Sequence, residues 1–256
     1  MLFRIDSSIA NLRATPNTAQ APIVGLPVGH PVEAVEGPQG SWQKCQTRLD
    51  SHVLEGFIHV SLLRREINPE VDKLVELAGA EYRRFNFGTR HESHPDSRAR
   101  IKDYWLSFSR TAQDAEKVAW SAAFISFVVK NAGLSKSFAF AESHTTYLSD
   151  SKRARLAKDS SRAYWAVRLQ ERKLTVGDLV GAYRTGKDCG SSVKTYDSLP
   201  GDFCSHCDLV VAIRDGVAIT IGGNVSNTVK AKEVPLSATG QTLEGSKRFV
   251  VMARNF

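Results

Sequence analysis

AWSAAFISFVVKNAG, residues 119–133, decides the fold of this chain. From Ala122 to Val129 every side chain is apolar except Ser126, so the spacing predicts a helix buried on all sides rather than an amphipathic surface helix, and Gly133 follows as its left-handed stop. Trp120 and Ser121 open it. The first turn of a buried helix carries unpaired backbone N–H groups and a partial positive charge, which stabilise an anionic nucleophile or an oxyanion beside them. Ser121 stands at that end and is the candidate nucleophile.

On the N-terminal side, PEVDKLVELAGAEYRRF after Asn68-Pro69 puts Val71, Leu74, Val75, Leu77, Ala78 and Tyr82 on one broad helical face, with Pro69 in the first turn. A polar loop, GTRHESHPDS, leads to a second helix, RARIKDYWLSFSR, with Ile101, Tyr104, Trp105 and Phe108 at helical spacing. His91 and His94 in that loop lack a third ligand nearby, so they read as solvated residues rather than a metal pair. On the C-terminal side, AFAESHTTYLSDSKRARLAKDSSRAYWAVRL has a polar, basic middle expected at the surface and ends in an amphipathic stretch around Tyr164, Trp165, Val167 and Leu169. Strand patterns follow: LTVGDLVGAYR, HCDLVVAIRDG, VAITIGGNV, VKAKEVPL and RFVVMAR, with a tight hairpin signal at Arg214-Asp215-Gly216-Val217. Helices first and an antiparallel sheet afterwards predict an α+β domain.

Ahead of these helices lie short strand signals at Ile9 to Arg13, Ile23 to Leu26, Val32 to Val35, Trp42 to Thr47 and Gly56 to Val60, separated by turn-forming segments. Such spacing predicts a small barrel or sandwich. The change of period near Asn68-Pro69 divides the chain into a small β domain, residues 1–66, and the α+β domain, residues 67–256.

Composition narrows the function classes. With 256 residues, 42% hydrophobic and 24% charged, the chain has the make-up of an ordinary soluble protein. A net charge of +7 and a pI near 9.3 suit an anionic partner such as nucleic acid, a membrane surface or an acidic cell-wall polymer, without choosing among them. No run of 18 or more apolar residues is present, and MLFRIDSSIANLR lacks the order of a secretory signal. The expectation is a cytosolic product with no membrane insertion, acting outside only after another export route or lysis. No nucleic-acid-binding motif is recognisable.

The chemistry-bearing residues fall in a suggestive order. A hydrolase of the papain type needs a nucleophile at a helix N-terminus, a histidine on a facing strand, and a polar residue on the next strand to hold the imidazole tautomer. Ser121, His206 and Asn224 occur in that order, and the hairpin at residues 214–216 would bring Asn224 back beside His206. Asp208, two residues along the same strand and on the same face, is the alternative orienting residue. His144, in ESHTTYL, either lines the cleft or is a structural histidine at a helix end. Tyr183 and Arg184, just after GDLVGA, either meet a substrate carboxylate or form a solvated strand end. Cys189, Cys204 and Cys207 with His206 leave three readings: a structural zinc, a disulfide from Cys189 to Cys204 or Cys207, or free thiols. No cofactor or resident metal is expected.

The motifs also carry resemblances. NLRATPNT, IVGLPVGHPVEAV, GSWQKCQ and EGFIHVSLL, from about Leu2 to Leu63, resemble the ordered motifs of a bacterial SH3-like domain, with Phe57 in place of a usual Trp. That resemblance implies wall binding; a generic barrel that only packs on its neighbour is the other reading. KVAWSAAFISFVVKNAG resembles the nucleophile helix "P-W-C-A-A-F-V-x-W-x-x-x-x-A-G" of CHAP-type and NlpC-type amidase and peptidase domains. LTVGDLV, SHCDLVVAI and ITIGGNVSNTV are similar to their later strands, and, with DSRARIKDYW and SHTTYL, the chain from about Glu70 is most similar to the DUF2272 branch, in which serine stands for the usual cysteine.

What these resemblances imply is a peptidoglycan hydrolase, an endopeptidase or amidase, with Ser121 as nucleophile, His206 as general base and Asn224 as orienting residue. Trp120, His144, Tyr183 and Arg184 are the candidate substrate contacts. Three departures bear on this. A serine depends on its base more than a thiol does; Ala119 stands where proline is common; and Gly222 stands where many CHAP domains carry an acid. The other function class is a catalytically inactive wall-binding module. A leaderless wall hydrolase would be a phage lysin or a secreted antibacterial effector, acting in the periplasm or wall, with peptidoglycan as partner and a secretion carrier or cognate immunity protein in the second case.

Overall fold

Seven short strands precede the first helix: β1 (Leu2–Ile5), β2 (Ile9–Leu12), β3 (Val24–Pro27), β4 (Pro31–Ala34), β5 (Trp42–Leu49), β6 (His52–His59) and β7 (Leu63–Arg64). Their apolar alternation is clearest in β2 and β5, where every second residue is buried. β6, β5, β4, β1 and β7 form an antiparallel sheet in that order, and β2 pairs with β3 as a separate ribbon. A bridge between Arg13 and Phe57 joins the ribbon to β6. No pairing of β6 with β7 closes the sheet among the described residues, so the expected barrel is realised as an open sheet with a ribbon. Ile5, Leu12, Leu26, Val32, Cys45 and Ile58 fill the small core between them. The computed structural model describes residues 1–109, 111–242, 245 and 247–256, so Arg110, at the end of the second expected helix, lies outside the described residues.

The remaining chain is a helical layer on one sheet. Its elements are α1 (Pro69–Arg84), α2 (Pro95–Leu106), α3 (Ser121–Ala132), α4 (His144–Ala157), β8 (Tyr164–Val167), β9 (Leu179–Tyr183), β10 (Ser205–Arg214), β11 (Val217–Gly222), β12 (Lys230–Pro235) and β13 (Arg248–Arg254). The sheet runs β12-β11-β10-β9-β13-β8, with antiparallel neighbours throughout. β10 is therefore central, and α1, α3 and α4 all pack on it. The α+β expectation and the hairpin at Asp215-Gly216 agree with this sheet, both residues of the turn having positive φ. The segment after α3 differs from expectation. Its basic middle is helix α4, which buries His144, Thr145, Tyr147, Leu148 and Ser151, and the stretch around Tyr164 is strand β8. Arginines and lysines between them hid a buried face whose members, Tyr147 and Leu148 apart, are polar or small.

Helix α1 joins the two parts. Asn68 caps it by accepting the Val71 N–H at 2.8 Å, Glu70 and Asp72 lie in the first turn, and Arg83 and Arg84 in the last, each complementing the helix dipole. Its face of Val71, Leu74, Val75 and Ala78 is fully buried. Gly79 lets the backbone of Val28 approach so closely that a Cβ would collide with the Val28 carbonyl. Ion pairs flank this contact: Arg64 to buried Asp72 at 2.7 Å, Arg4 to Glu76 at 2.7 Å and Arg83 to Asp50 at 2.9 Å. Among the described residues no helix is long and apolar enough to cross a membrane.

His30, between β3 and β4, gives the small sheet a pH dependence. Its Nε2 lies 2.8 Å from Thr47 Oγ1, whose own hydroxyl donates to the Pro31 carbonyl, so Nε2–H is the donor and the ring is neutral. Burial lowers the pKa of this histidine from 6.5 to about 4. The unfolded chain therefore binds the proton first: the contribution is complete above the unfolded pKa and is lost as pH falls from about 6.5 towards about 4. Allowing for partial exposure, it amounts to about 2 kcal/mol. In thermal unfolding at about pH 7.5 and about pH 4.5, the wild-type Tm is expected to fall by about 5 °C more than that of His30→Gln. Equal falls in the two proteins would remove His30 from the explanation.

Candidate active site

The site begins with α3. Its residues from Ser121 to Val129 are all buried, and Gly133 ends it with φ of 67°. Trp120, at the N-cap, supplies no side-chain acceptor, so the first-turn N–H groups have no capping side chain. Ser126, the one polar residue in the apolar run, donates to the Ala141 carbonyl at 2.9 Å and accepts the Ala141 N–H at 3.1 Å. That double bond fixes the segment entering α4, whose first residue is His144.

His144 is thereby brought onto Ser121. Ser121 Oγ lies 2.7 Å from His144 Nε2, with the two residues 3% and 4% exposed. The other ring nitrogen, Nδ1, meets the hydroxyl of Tyr147, one turn along the same helix face. The Tyr147 hydroxyl in turn touches the Cys207 thiol on β10. Burial, reinforced by His206 and Arg184, pushes His144 well below the ordinary histidine pKa, which keeps it neutral and able to receive a proton. In the direction that places its lone pair on Ser121, protons run from Ser121 to His144 to Tyr147 to Cys207, and each donor has an acceptor.

A second histidine lies beside the first. The rings of His144 and His206 are 5.4 Å apart between centroids. His206 Nε2 is 2.8 Å from Asp208 Oδ1, and Nδ1 is 3.0 Å from Arg184 Nη2. Arginine only donates, so Nδ1 carries the lone pair and Nε2–H donates to Asp208. Lys232 Nζ stands 2.6 Å from the other oxygen of Asp208. Burial alone would raise the Asp208 carboxyl, but His206 and Lys232 overcome it and hold the group well below the carboxylate range. The β9–β10 register explains the Arg184 contact: Ala182 faces His206, and Arg184 lies two residues on, on the same face.

The expected constellation is thus brought together in part and rearranged. Both ring nitrogens of His206 are engaged, and the hydrogen-bond partner of Ser121 is His144. The orienting place beside His206 is taken by Asp208, because residues two apart on β10 share a face. Asn224 lies past the end of β11 with φ of 55° and lines the cleft with His206, without a side-chain hydrogen bond to it. Gly222 is what admits Asp208: a Cβ there would occupy the place of Oδ1 and lie 3.0 Å from His206 Nε2. Trp120, one of the expected substrate contacts, is placed inside the core. It is fully buried, stacks on Phe85, and donates its indole N–H to Glu92 at 2.7 Å.

Beside these groups opens a cleft of about 680 Å³, lined among others by Glu92, Ala119, Tyr183, Arg184, His206, Asn224 and Lys232; Ser121 and His144 lie behind this lining. Cys189 and Cys204 form a disulfide, and Cys207 is a free, buried thiol, so the three sulfurs do not gather around a metal. Among the described residues, no group of three or more His, Cys, Asp or Glu is placed to hold a metal ion. The model of the family described as "Uncharacterized protein conserved in bacteria (DUF2272)" matches residues 93–255, well over half of the chain. The chain belongs to the DUF2272 family.

All the groups just described, from Trp120 to Lys232, lie within the DUF2272 match, apart from Glu92 immediately before it; α1 and the N-terminal sheet precede it. No curated protein matches this DUF2272 chain. The solved structures similar to it include NlpC2 from Trichomonas vaginalis, 10% identical with a TM-score of 0.33, and NlpC1 from the same organism, 9% identical with a TM-score of 0.32. Both alignments cover 100% of this chain, and 73% and 69% of the other chains, respectively. Sequence reasoning missed Tyr147, Lys232 and Glu92 as members of the site. Only Tyr147 carried a usable signal, its spacing of three from His144; the other two arrive through tertiary contacts.

Proposed function

We propose that this protein is a hydrolase that cleaves amide bonds of peptidoglycan by acyl transfer through Ser121. The observation that carries this reading is the 2.7 Å contact between Ser121 Oγ and a buried, neutral His144 at the open end of α3. As Oγ bonds to the carbonyl carbon, its proton passes to His144 Nε2, and the carbonyl oxygen becomes an oxyanion facing the uncapped N–H groups of α3. Collapse breaks the C–N bond, the proton on Nε2 goes to the leaving amine, and water then hydrolyses the Ser121 ester by the same route in reverse. Tyr147 holds the His144 ring, while His206 is held between Asp208 at Nε2 and Arg184 at Nδ1.

Peptidoglycan as substrate rests on the motif resemblance to CHAP-type and NlpC-type domains and on the basic charge. The SH3-like motifs of residues 1–66 support a wall-holding role for the N-terminal sheet, and the same reading makes the protein a phage lysin or a secreted effector. Digestion of purified peptidoglycan, with fragments identified by mass spectrometry, is expected to release pieces bearing one new amine and one new carboxylate. A chain that sediments with the wall yet releases nothing would instead be a binding module.

A further inference from the structure

Arg184 holds an unusual position for a guanidinium. It lines the wall of the cleft with part of its surface open to solvent, and among the described residues its one side-chain hydrogen bond is to an imidazole nitrogen, His206 Nδ1. No carboxylate lies within ion-pair distance of it among the described residues. The acids around the cleft are otherwise engaged: Asp208 bonds His206 and pairs with Lys232, Glu116 pairs with Arg98 at 2.5 Å, and Glu92 accepts the Trp120 N–H. Burial works against the charge of Arg184, with only Asp208 opposing that effect. Its backbone is fixed, since its N–H donates to the Cys204 carbonyl at 2.8 Å and Cys204 is tied to Cys189 by the disulfide.

We infer that Arg184 is a carboxylate-binding subsite of the cleft, and that a substrate carboxylate draws it off His206 Nδ1. A guanidinium forms two parallel, charge-assisted hydrogen bonds with a carboxylate, each about twice as strong as a bond to a neutral acceptor, so the exchange is favourable. The freed Nδ1 then faces the cleft with an open lone pair, between the bound carboxylate and Ser121's partner His144. The class of ligand is a peptide or acyl-peptide with a free carboxylate next to the scissile bond; an ester or carboxamide at that place offers nothing to the second N–H of the fork. This rests on the hydrolase reading only for the identity of the ligand as substrate. The binding itself is measurable without turnover.

The test uses the full chain with two probes, acetyl-alanyl-alanine and its C-terminal carboxamide, measured by calorimetry in the wild type, Arg184→Gln and Arg184→Lys. The wild type is expected to bind the acid at least about tenfold more tightly than the amide, a difference of about 1.4 kcal/mol. Arg184→Gln is expected to bind both equally, and Arg184→Lys to keep a reduced preference. Nitrogen-15 NMR of His206 supplies a readout that loss of folding does not mimic. The Nδ1 resonance should move when the acid is added to the wild type, and should already be displaced in ligand-free Arg184→Gln. Equal binding of acid and amide by the wild type overturns the inference, as does failure to bind either or a preference that survives in Arg184→Gln. Fragment release from peptidoglycan is judged separately, so either result stands without the other.

Discussion

Ser121→Ala is expected to lower the rate of fragment release by about 10⁴- to 10⁶-fold while leaving the far-ultraviolet circular dichroism unchanged. The expectation follows from the proposal that Ser121 Oγ forms the bond to the carbonyl carbon and is not merely a donor in the buried network. His144→Gln should cost about 10²- to 10⁴-fold, because the serine hydroxyl then has no base within hydrogen-bond reach. The double variant should be no slower than Ser121→Ala alone, since the two groups act as a unit. His206→Gln is the discriminating control. It keeps Ser121 and His144 together and should cost less than His144→Gln. The opposite ranking, with His206→Gln as damaging as Ser121→Ala and His144→Gln nearly silent, would transfer the role of base to His206.

Gly222→Ala should be the most damaging methyl group that can be added to the sheet. Its Cβ would fall on the carboxylate of Asp208 and 3.0 Å from His206 Nε2, so Asp208 must leave or β11 must move. Overpacking of this kind costs about 1–3 kcal/mol, and displacement of Asp208 adds the loss of its bonds to His206 and Lys232. Denaturant unfolding should show the single-variant loss directly. Asp208→Ala removes the obstacle, so in the double variant the two losses should fall short of their sum by at least about 0.5 kcal/mol. Additive losses would mean that the strand adapts to the methyl group elsewhere.

These two expectations mark where the sequence was informative and where it was silent. The α3 run was legible because a stretch that is apolar on every side but for Ser126, closed by a glycine, has one physical reading, and the strands after it were legible from β-branched residues and the Asp215-Gly216 turn. The first strand, β1, is missing from the reading because LFRI is short and no turn signal marks it off. For His144 the sequence leaves a cleft-lining and a structural reading open, because a histidine at a helix start says nothing about what faces it. Its partner is chosen by Ser126, whose bonds to residue 141 bend the chain back over α3. Asp208 and Asn224 were equally placed on paper, since period-two alternation favours one and hairpin pairing the other. The absence of a side chain at residue 222 decided between them, and steric room of that kind appears only when strands are assembled.

The contact between Gly79 and Val28 has a thermodynamic meaning beyond packing. Helix α1 packs on β3 as well as on α3 and β10, so melting of the N-terminal sheet strips the flank of the helix where Val75 meets Gly29 and Gly79 meets Val28. Loss of the sheet therefore withdraws support from the segment that carries Ser121. The proton taken up by His30 at mild acidity becomes, through this shared helix, a property of the whole molecule: an acid-labile element at one end sets the pH below which the other end loses its support.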